Sequence, residues 1–237
     1  MNIRFLYMAT IACAALFASC SDDEDSVPEM AYPTNSGTFV DERDGFEYHW
    51  VRYGNLDWMV DNGHYLINDE TYCRVYPVNA GSGHTDYTDK TNWKKYGCLY
   101  TVSGAKMACP DGWRLPTDED WQNLERYFGM SEKEAKSYEW RGMIAQNLLK
   151  AADDSTSIHL QLGGFYTESW NNWSSHFREW SVIGYYWTST VDESKENGLY
   201  FYRKFMWNKD GVYRQSTSPE DMFFSVRYVR DAALETE

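Results

Sequence analysis

A chain of 237 residues with no internal period accommodates one large domain, and its 22 basic against 36 acidic side chains leave a formal charge of −14. Such a balance argues against nucleic acid and anionic lipid headgroups as partners, since both are held by basic patches. Eleven tryptophans and 19 tyrosines exceed what the core of one such domain requires, so aromatic binding surface is expected. In chain order, residues 1–19 read as a signal peptide: Arg4, an apolar run from Phe5 to Phe17, then Ala18 and Ser19 ahead of Cys20. The run is too short to span a membrane comfortably. LFASC is similar to a bacterial lipoprotein processing site, which makes Cys20 the expected lipidation residue. Ser21-Asp22-Asp23-Glu24-Asp25 then resembles the acidic tag that sends Bacteroidetes lipoproteins to the outer face of the outer membrane. With Pro28, Pro33, Asn35, Ser36 and Gly37 following, 20–37 reads as a flexible tether, 38–232 as the domain and 233–237 as a tail.

Phe46–Tyr53 alternates apolar and polar residues between Asp44-Gly45 and Gly54-Asn55, which predicts a hairpin or meander over Phe39–Asp61. Asn68–Lys95, rich in Gly, Thr, Asp and Tyr, is expected to be a long loop, and long loops in compact domains tend to be functional. Leu99 and Tyr100 are expected to be extended. Val102, Ala105 and Cys109 can line one face of a short helix ended by Pro110-Asp111-Gly112, and Trp113, Leu115 and Pro116 form a short strand. Thr117–Gly129 reads as a helix with Thr117 as N-cap, Asp120 at the capping-box position and Trp121, Leu124 and Phe128 on its apolar stripe. Ser131–Leu149 reads as a second helix, with Gly142 as a potential break. From Leu160 onward short aromatic strands follow: Tyr185–Thr190 and Leu199–Trp207 in one antiparallel sheet, with Phe223–Asp231 as its last strand. The fold class is α+β.

The densest aromatic cluster is Tyr166, Trp170, Trp173, Phe177 and Trp180, interleaved with Asn171, Asn172, His176 and Arg178. Flat rings beside amides and hydroxyls, the latter from Ser174 and Ser175, are what a glycan or peptide surface needs. Tyr166, Trp170, Asn171, Asn172, Trp173, His176, Arg178 and Trp180 are therefore the candidate ligand-binding residues, against the alternative that the rings fill the core. His49, His64, His84, His159 and His176 show no metal-ligand spacing, and no serine lies in a GxSxG elbow, so no catalytic residue, metal or enzyme activity is expected.

Cys73, Cys98 and Cys109 are the disulfide candidates in an oxidising compartment. Cys73 with Cys98, Cys98 with Cys109, or no bridge at all are open, because connectivity depends on distances between Cα atoms.

Five motifs in order, Trp58–Asn62 (WMVDN), Cys109–Trp121 (CPDGWRLPTDEDW), Gly163–Tyr166 (GGFY), Tyr185–Thr190 (YYWTST) and Ser225–Asp231 (SVRYVRD), resemble the Fibrobacter succinogenes major paralogous (FISUMP) domain, over Phe39–Ala232. The resemblance implies a secreted bacterial domain with a C-type-lectin-like fold: two helices packed on a twisted antiparallel sheet, with a long loop-rich aromatic region. Trp58, Trp113, Trp121 and Trp187 lie inside the motifs that carry the resemblance, which implies that they pack inside. It also implies a cysteine where this chain has Tyr228, so that Cys109 has lost its expected partner; Tyr228 is expected to pack near Cys109 instead. C-type lectins often bind sugar through calcium, for which Glu220 and Asp221, or Asp86 and Asp89, could contribute oxygens. The lectins' Glu-Pro-Asn and Trp-Asn-Asp patterns are missing from the expected places, so no cofactor is expected. Formylglycine-generating enzymes share a related fold but need a thiol pair in the C-terminal half, and no cysteine follows Cys109. The expectation is a non-catalytic surface lipoprotein that binds a glycan or a surface protein, with a structural or assembly role in a surface complex as the alternative.

Overall fold

A computed structural model describes residues 31–75, 91–150, 157–168 and 176–233. β1 (Asn35–Val40), β2 (Glu47–Tyr53) and β3 (Leu56–Met59) pair antiparallel in chain order, as the alternation of Phe46–Tyr53 predicts. Gly45 and Gly54 turn the chain at φ 74° and 60°, where a side chain would strain the backbone. Because β1 starts at Asn35, the tether assigned to 20–37 is too long by three residues: Asn35, Ser36 and Gly37 pair with Arg52, Val51 and Trp50. The cause is packing. A Cβ on Gly37 would stand 2.6 Å from the Trp50 indole, so this glycine admits a ring rather than a bend.

β4 (Cys73–Arg74) and β5 (Leu99–Tyr100) pair across α1 (Thr91–Tyr96). α2 (Val102–Ala108) follows, its N-cap Thr101 accepting at Oγ1 from the Gly104 amide at 3.1 Å. Gly104 lets the Tyr72 carbonyl approach so closely that a Cβ would sit 2.1 Å from that oxygen. Gly104→Ala, which in an open helix gains about 1 kcal/mol, is therefore expected to cost about 1–3 kcal/mol, read as a lowered urea midpoint. A raised midpoint would show that the Tyr72 carbonyl moves freely.

The strand expected at Trp113–Pro116 reduces to one bridge, Arg114 with Val229, because the next residue but two already caps a helix. α3 (Asp118–Tyr127) has the predicted capping box: Thr117 Oγ1 accepts from the Asp120 amide at 3.0 Å, and Asp120 Oδ2 accepts from the Thr117 amide at 2.7 Å. The second helix, expected over Ser131–Leu149, is divided. α4 (Glu132–Lys136), opened by Ser131 and Glu134, is followed by β6 (Glu139–Arg141) and α5 (Ala145–Leu149). Gly142, at φ 65° with Met130 against the place of its missing Cβ, makes the break.

β7 (Phe165–Thr167) and β8 (Phe177–Arg178) pair with each other. β9 (Ile183–Val191), β10 (Tyr200–Met206) and β11 (Val212–Thr217) then form an antiparallel meander whose far edge is β6, in the order β6-β11-β10-β9. The pairing of Glu139–Arg141 with Val212–Arg214 is what draws that stretch out of a helix. Phe223–Asp231 is not the last strand of this sheet. β12 (Met222–Phe223) pairs with β7, whereas β13 (Val229–Asp231) pairs with β3 and closes the first sheet as β1-β2-β3-β13. The backbone between them crosses the molecule, with Phe224 bonded to Tyr100, Ser225 to Tyr185 and Val226 to Gly63, so no single neighbour holds the whole segment. The fold is thus α+β and mostly antiparallel, with five short helices and four sheets among the described residues in place of two helices on one sheet.

Trp58, Trp113, Trp121 and Trp187 are buried in the core. Tyr228 fills the interior beside α2, where its hydroxyl donates to the Ala105 carbonyl at 2.7 Å, and Cys109 packs on the same apolar cluster. Burial pushes the Cys109 thiol up to about 12.

Beneath α3 lies a buried ionic network with no local signature in the sequence. Asp118 and Glu125, two helical turns apart, both face the sheet. Arg203 bridges them, with Nη1 to Asp118 at 2.7 Å and Nε to Glu125 at 2.6 Å; Arg214 binds Asp118 and Arg141 binds Glu125, each at 2.7 Å. Burial raises the Asp118 pKa, but the two arginines outweigh it and hold the carboxyl at about 2.

Candidate functional site

The aromatic segment and the long loop, separate in sequence, converge on one cleft. Pairing of β7 with β8 sets Tyr166 opposite Phe177, ring centroids 4.8 Å apart, and the β12 residue Phe223 lies 5.2 Å from Tyr166. From β4, Arg74 spreads its guanidinium over Tyr166 at 4.8 Å and Phe223 at 5.1 Å. Its Nη2 donates to Glu168 Oε1 at 2.9 Å, and the Tyr166 hydroxyl donates to the same oxygen at 2.7 Å. The Tyr166 hydroxyl first, and Arg74 second, hold the Glu168 carboxyl below its usual range. Opposite them stand Tyr65, Ile67 and Trp93, the last fixed by its Nε1 donating to the His64 carbonyl at 2.9 Å. Arg43 covers the Tyr65 ring at 4.0 Å and is itself held by Asp41 at 2.6 Å. The cleft measures about 750 Å³.

Cys73 lies in the cleft lining beside Cys98, both as free thiols. A hydrogen bond from Cys98 lowers the Cys73 pKa, while burial raises that of Cys98. Cys109 ends α2, with its thiol directed at the Pro110 carbonyl at 3.7 Å.

Of the candidate binding residues, Tyr166 is in the cleft but largely buried. His176 packs at 5.6 Å from Tyr166, its Nδ1 against the Thr167 carbonyl at 2.9 Å, and Arg178 on β8 is half-buried. Trp180 is 40% exposed but is not part of the cleft; it meets Tyr96 edge-on at 6.1 Å. Trp170, Asn171, Asn172 and Trp173 lie outside the described residues, as do Cys20, His84, Asp86 and Asp89. Glu220 accepts from Ser103 Oγ at 2.8 Å, and among the described residues no three His, Cys, Asp or Glu side chains converge. Tyr65, Arg74, Trp93 and Glu168 were not legible as site residues. Arg74 and Trp93 lie within the expected loop and Glu168 within the aromatic segment, with Tyr65 just ahead of the loop, but which residues of those regions meet is set only by strand pairing.

Chemically, the cleft offers ring edges and faces for stacking against C–H groups, with guanidinium donors and a carboxylate acceptor at the rim for hydroxyls. No curated protein and no solved structure matches the chain. The family model of the Fibrobacter succinogenes major domain matches residues 51–230, from within β2 to within β13, taking in four of the five sequence motifs whole and the fifth as far as Arg230. The chain belongs to the Fibrobacter succinogenes major domain family.

Proposed function

We propose that this protein is a non-catalytic binding lipoprotein of the cell exterior, anchored to the outer membrane through Cys20, whose C-type-lectin-like domain recognises a glycan in the cleft between β4, β7 and α1. The observation that carries this reading is the joining of Tyr65, Trp93, Tyr166 and Phe177 with Arg43 and Arg74 in one cleft, where Glu168 holds both Arg74 and Tyr166. Rings rimmed by donors and acceptors are what sugar recognition uses, and they are already positioned by strand pairing and ion pairs, which limits the ordering cost of binding.

A glycan array probed with the chain from Cys20 to Glu237 tests it. Binding to a defined set of glycans is expected, and Phe177→Ala should weaken it about tenfold with little change in thermal midpoint. Silence of the folded protein across the array, together with co-purification of a partner chain, would replace this reading by the assembly role.

A further inference from the structure

We infer that a second groove, walled by α5, the 159–162 segment, Tyr96 and Trp207, is a binding site for a carboxylated saccharide. It measures about 890 Å³ and shares no residue with the cleft above, so it does not rest on that reading. Three observations lead there.

The first is the chemistry of its walls. Trp207, 59% exposed, brings an indole ring; Asn147 and Gln161 add amides, the latter with Nε2 3.4 Å from the ring nitrogens of His159; Lys95 and Lys150 add exposed ammonium groups. Among the described residues lining it there is no Asp or Glu, although the chain carries 36 of them. A ring face stacks on the C–H side of a pyranose, amides meet its hydroxyls, and ammonium groups meet a carboxylate. Gln146 is already committed: its Nε2 donates to the Trp207 carbonyl at 3.3 Å and the Lys209 carbonyl at 2.8 Å, which ties α5 to the end of β10 and sets the position of Trp207.

The second is backbone strain. His159 and Ser181, both in the wall, have φ 39° and 63°, and Glu179, two residues before Ser181, has φ 61°. Left-handed conformations in residues other than glycine are costly and persist where surrounding structure imposes them, which is common at binding sites.

The third is what imposes them. Arg227 is fully buried, yet it is spent on backbone: Nη2 donates to the His159 carbonyl at 2.8 Å and Nη1 to the Ile158 and Met59 carbonyls at 3.2 and 3.1 Å, with Nε on Asn62 Oδ1 at 2.7 Å. Asn62 in turn donates to the Tyr96 carbonyl at 2.8 Å, the Tyr96 hydroxyl meets Ser181 Oγ at 2.7 Å, and the Tyr186 hydroxyl donates to the Gln161 carbonyl at 2.5 Å. Each irregular wall is thus pinned from below by a buried polar group. Such groups are expensive to desolvate and would be replaceable by apolar packing if the walls had no need of a fixed shape. Arg227 and Asn62 are positioning residues for the groove.

The test is titration calorimetry of the full chain with oligogalacturonate, a glucuronate oligomer and sialyllactose, with a neutral galactose oligomer as control. At least one acidic probe is expected to bind, with affinity falling as salt is raised because the ammonium groups are exposed. Trp207→Ala should weaken binding about tenfold, Lys95→Gln with Lys150→Gln should weaken it similarly and flatten the salt dependence, and Phe177→Ala should leave it unchanged. Silence of the folded protein toward all three acidic probes at millimolar concentration would overturn the inference. So would equal binding of the neutral oligomer, or loss with Phe177→Ala but not with Trp207→Ala.

Discussion

Arg203→Met is expected to lower the unfolding free energy by about 3–5 kcal/mol, because it takes a cation from two buried carboxylates at once. Arg203 is fully buried and bridges Asp118 to Glu125; without it Asp118 keeps Arg214 and Glu125 keeps Arg141, and each carboxylate retains burial with half its compensation. The loss is read as a shift in the urea midpoint at constant slope. A loss below about 1 kcal/mol would mean that water or repacking satisfies the carboxylates in the variant.

The same network sets an acid limit. Arg203 and Arg214 hold the Asp118 carboxyl at about 2 in the fold, below the ordinary carboxylate value of about 4, a depressed pKa. Its contribution, about 2 kcal/mol, is therefore fully present above about pH 4 and is lost as pH falls toward 2. In Arg203→Met one of the two depressing charges is gone, so acid unfolding should begin at a higher pH than in the wild type.

Arg227→Met is expected to cost about 3 kcal/mol, since it leaves Asn62 Oδ1 and three backbone carbonyls without a donor in the interior. Arg227→Lys should recover less than half, because one ammonium cannot reach groups spread around a planar fork. Hydrogen exchange should show the change first at residues 157–162, whose turn depends on those bonds. Uniform protection across the chain with an unchanged midpoint would assign Arg227 no structural role. The cost is distinct from that of Arg203→Met in kind: Arg203 meets charged carboxylates, whereas Arg227 meets neutral oxygens, three of the backbone and one of the Asn62 amide.

Local signals were sound where a few neighbouring residues decide the outcome. Thr117 with Asp120 and Ser131 with Glu134 are capping boxes because a side chain three residues away reaches the cap, and the glycines of the first turns act within their own turns. They failed where a distant strand competes. Ser131–Leu149 has helical spacing, but β11 captures Glu139–Arg141 and Gly142 completes the break. Phe223–Asp231 reads as one strand, but its residues bond in turn to β7, Tyr100, Tyr185 and β3.

The family motifs, the α+β class and the two regions whose residues line the cleft are legible in the sequence from local motifs, short-range spacing and hydrophobic pattern, and the buried tryptophans follow from their places in the motifs. Which side chains share the cleft is settled by tertiary packing. Tyr65, Arg74, Tyr166 and Phe177 meet through the β4, β7 and β8 pairings, and Asn62 with Arg227 meets His159 across the chain, contacts whose partners are set by packing of the whole domain. Hydrogen bonds and ion pairs between residues so distant in sequence leave no periodicity to read, because their geometry exists only once the sheets have formed.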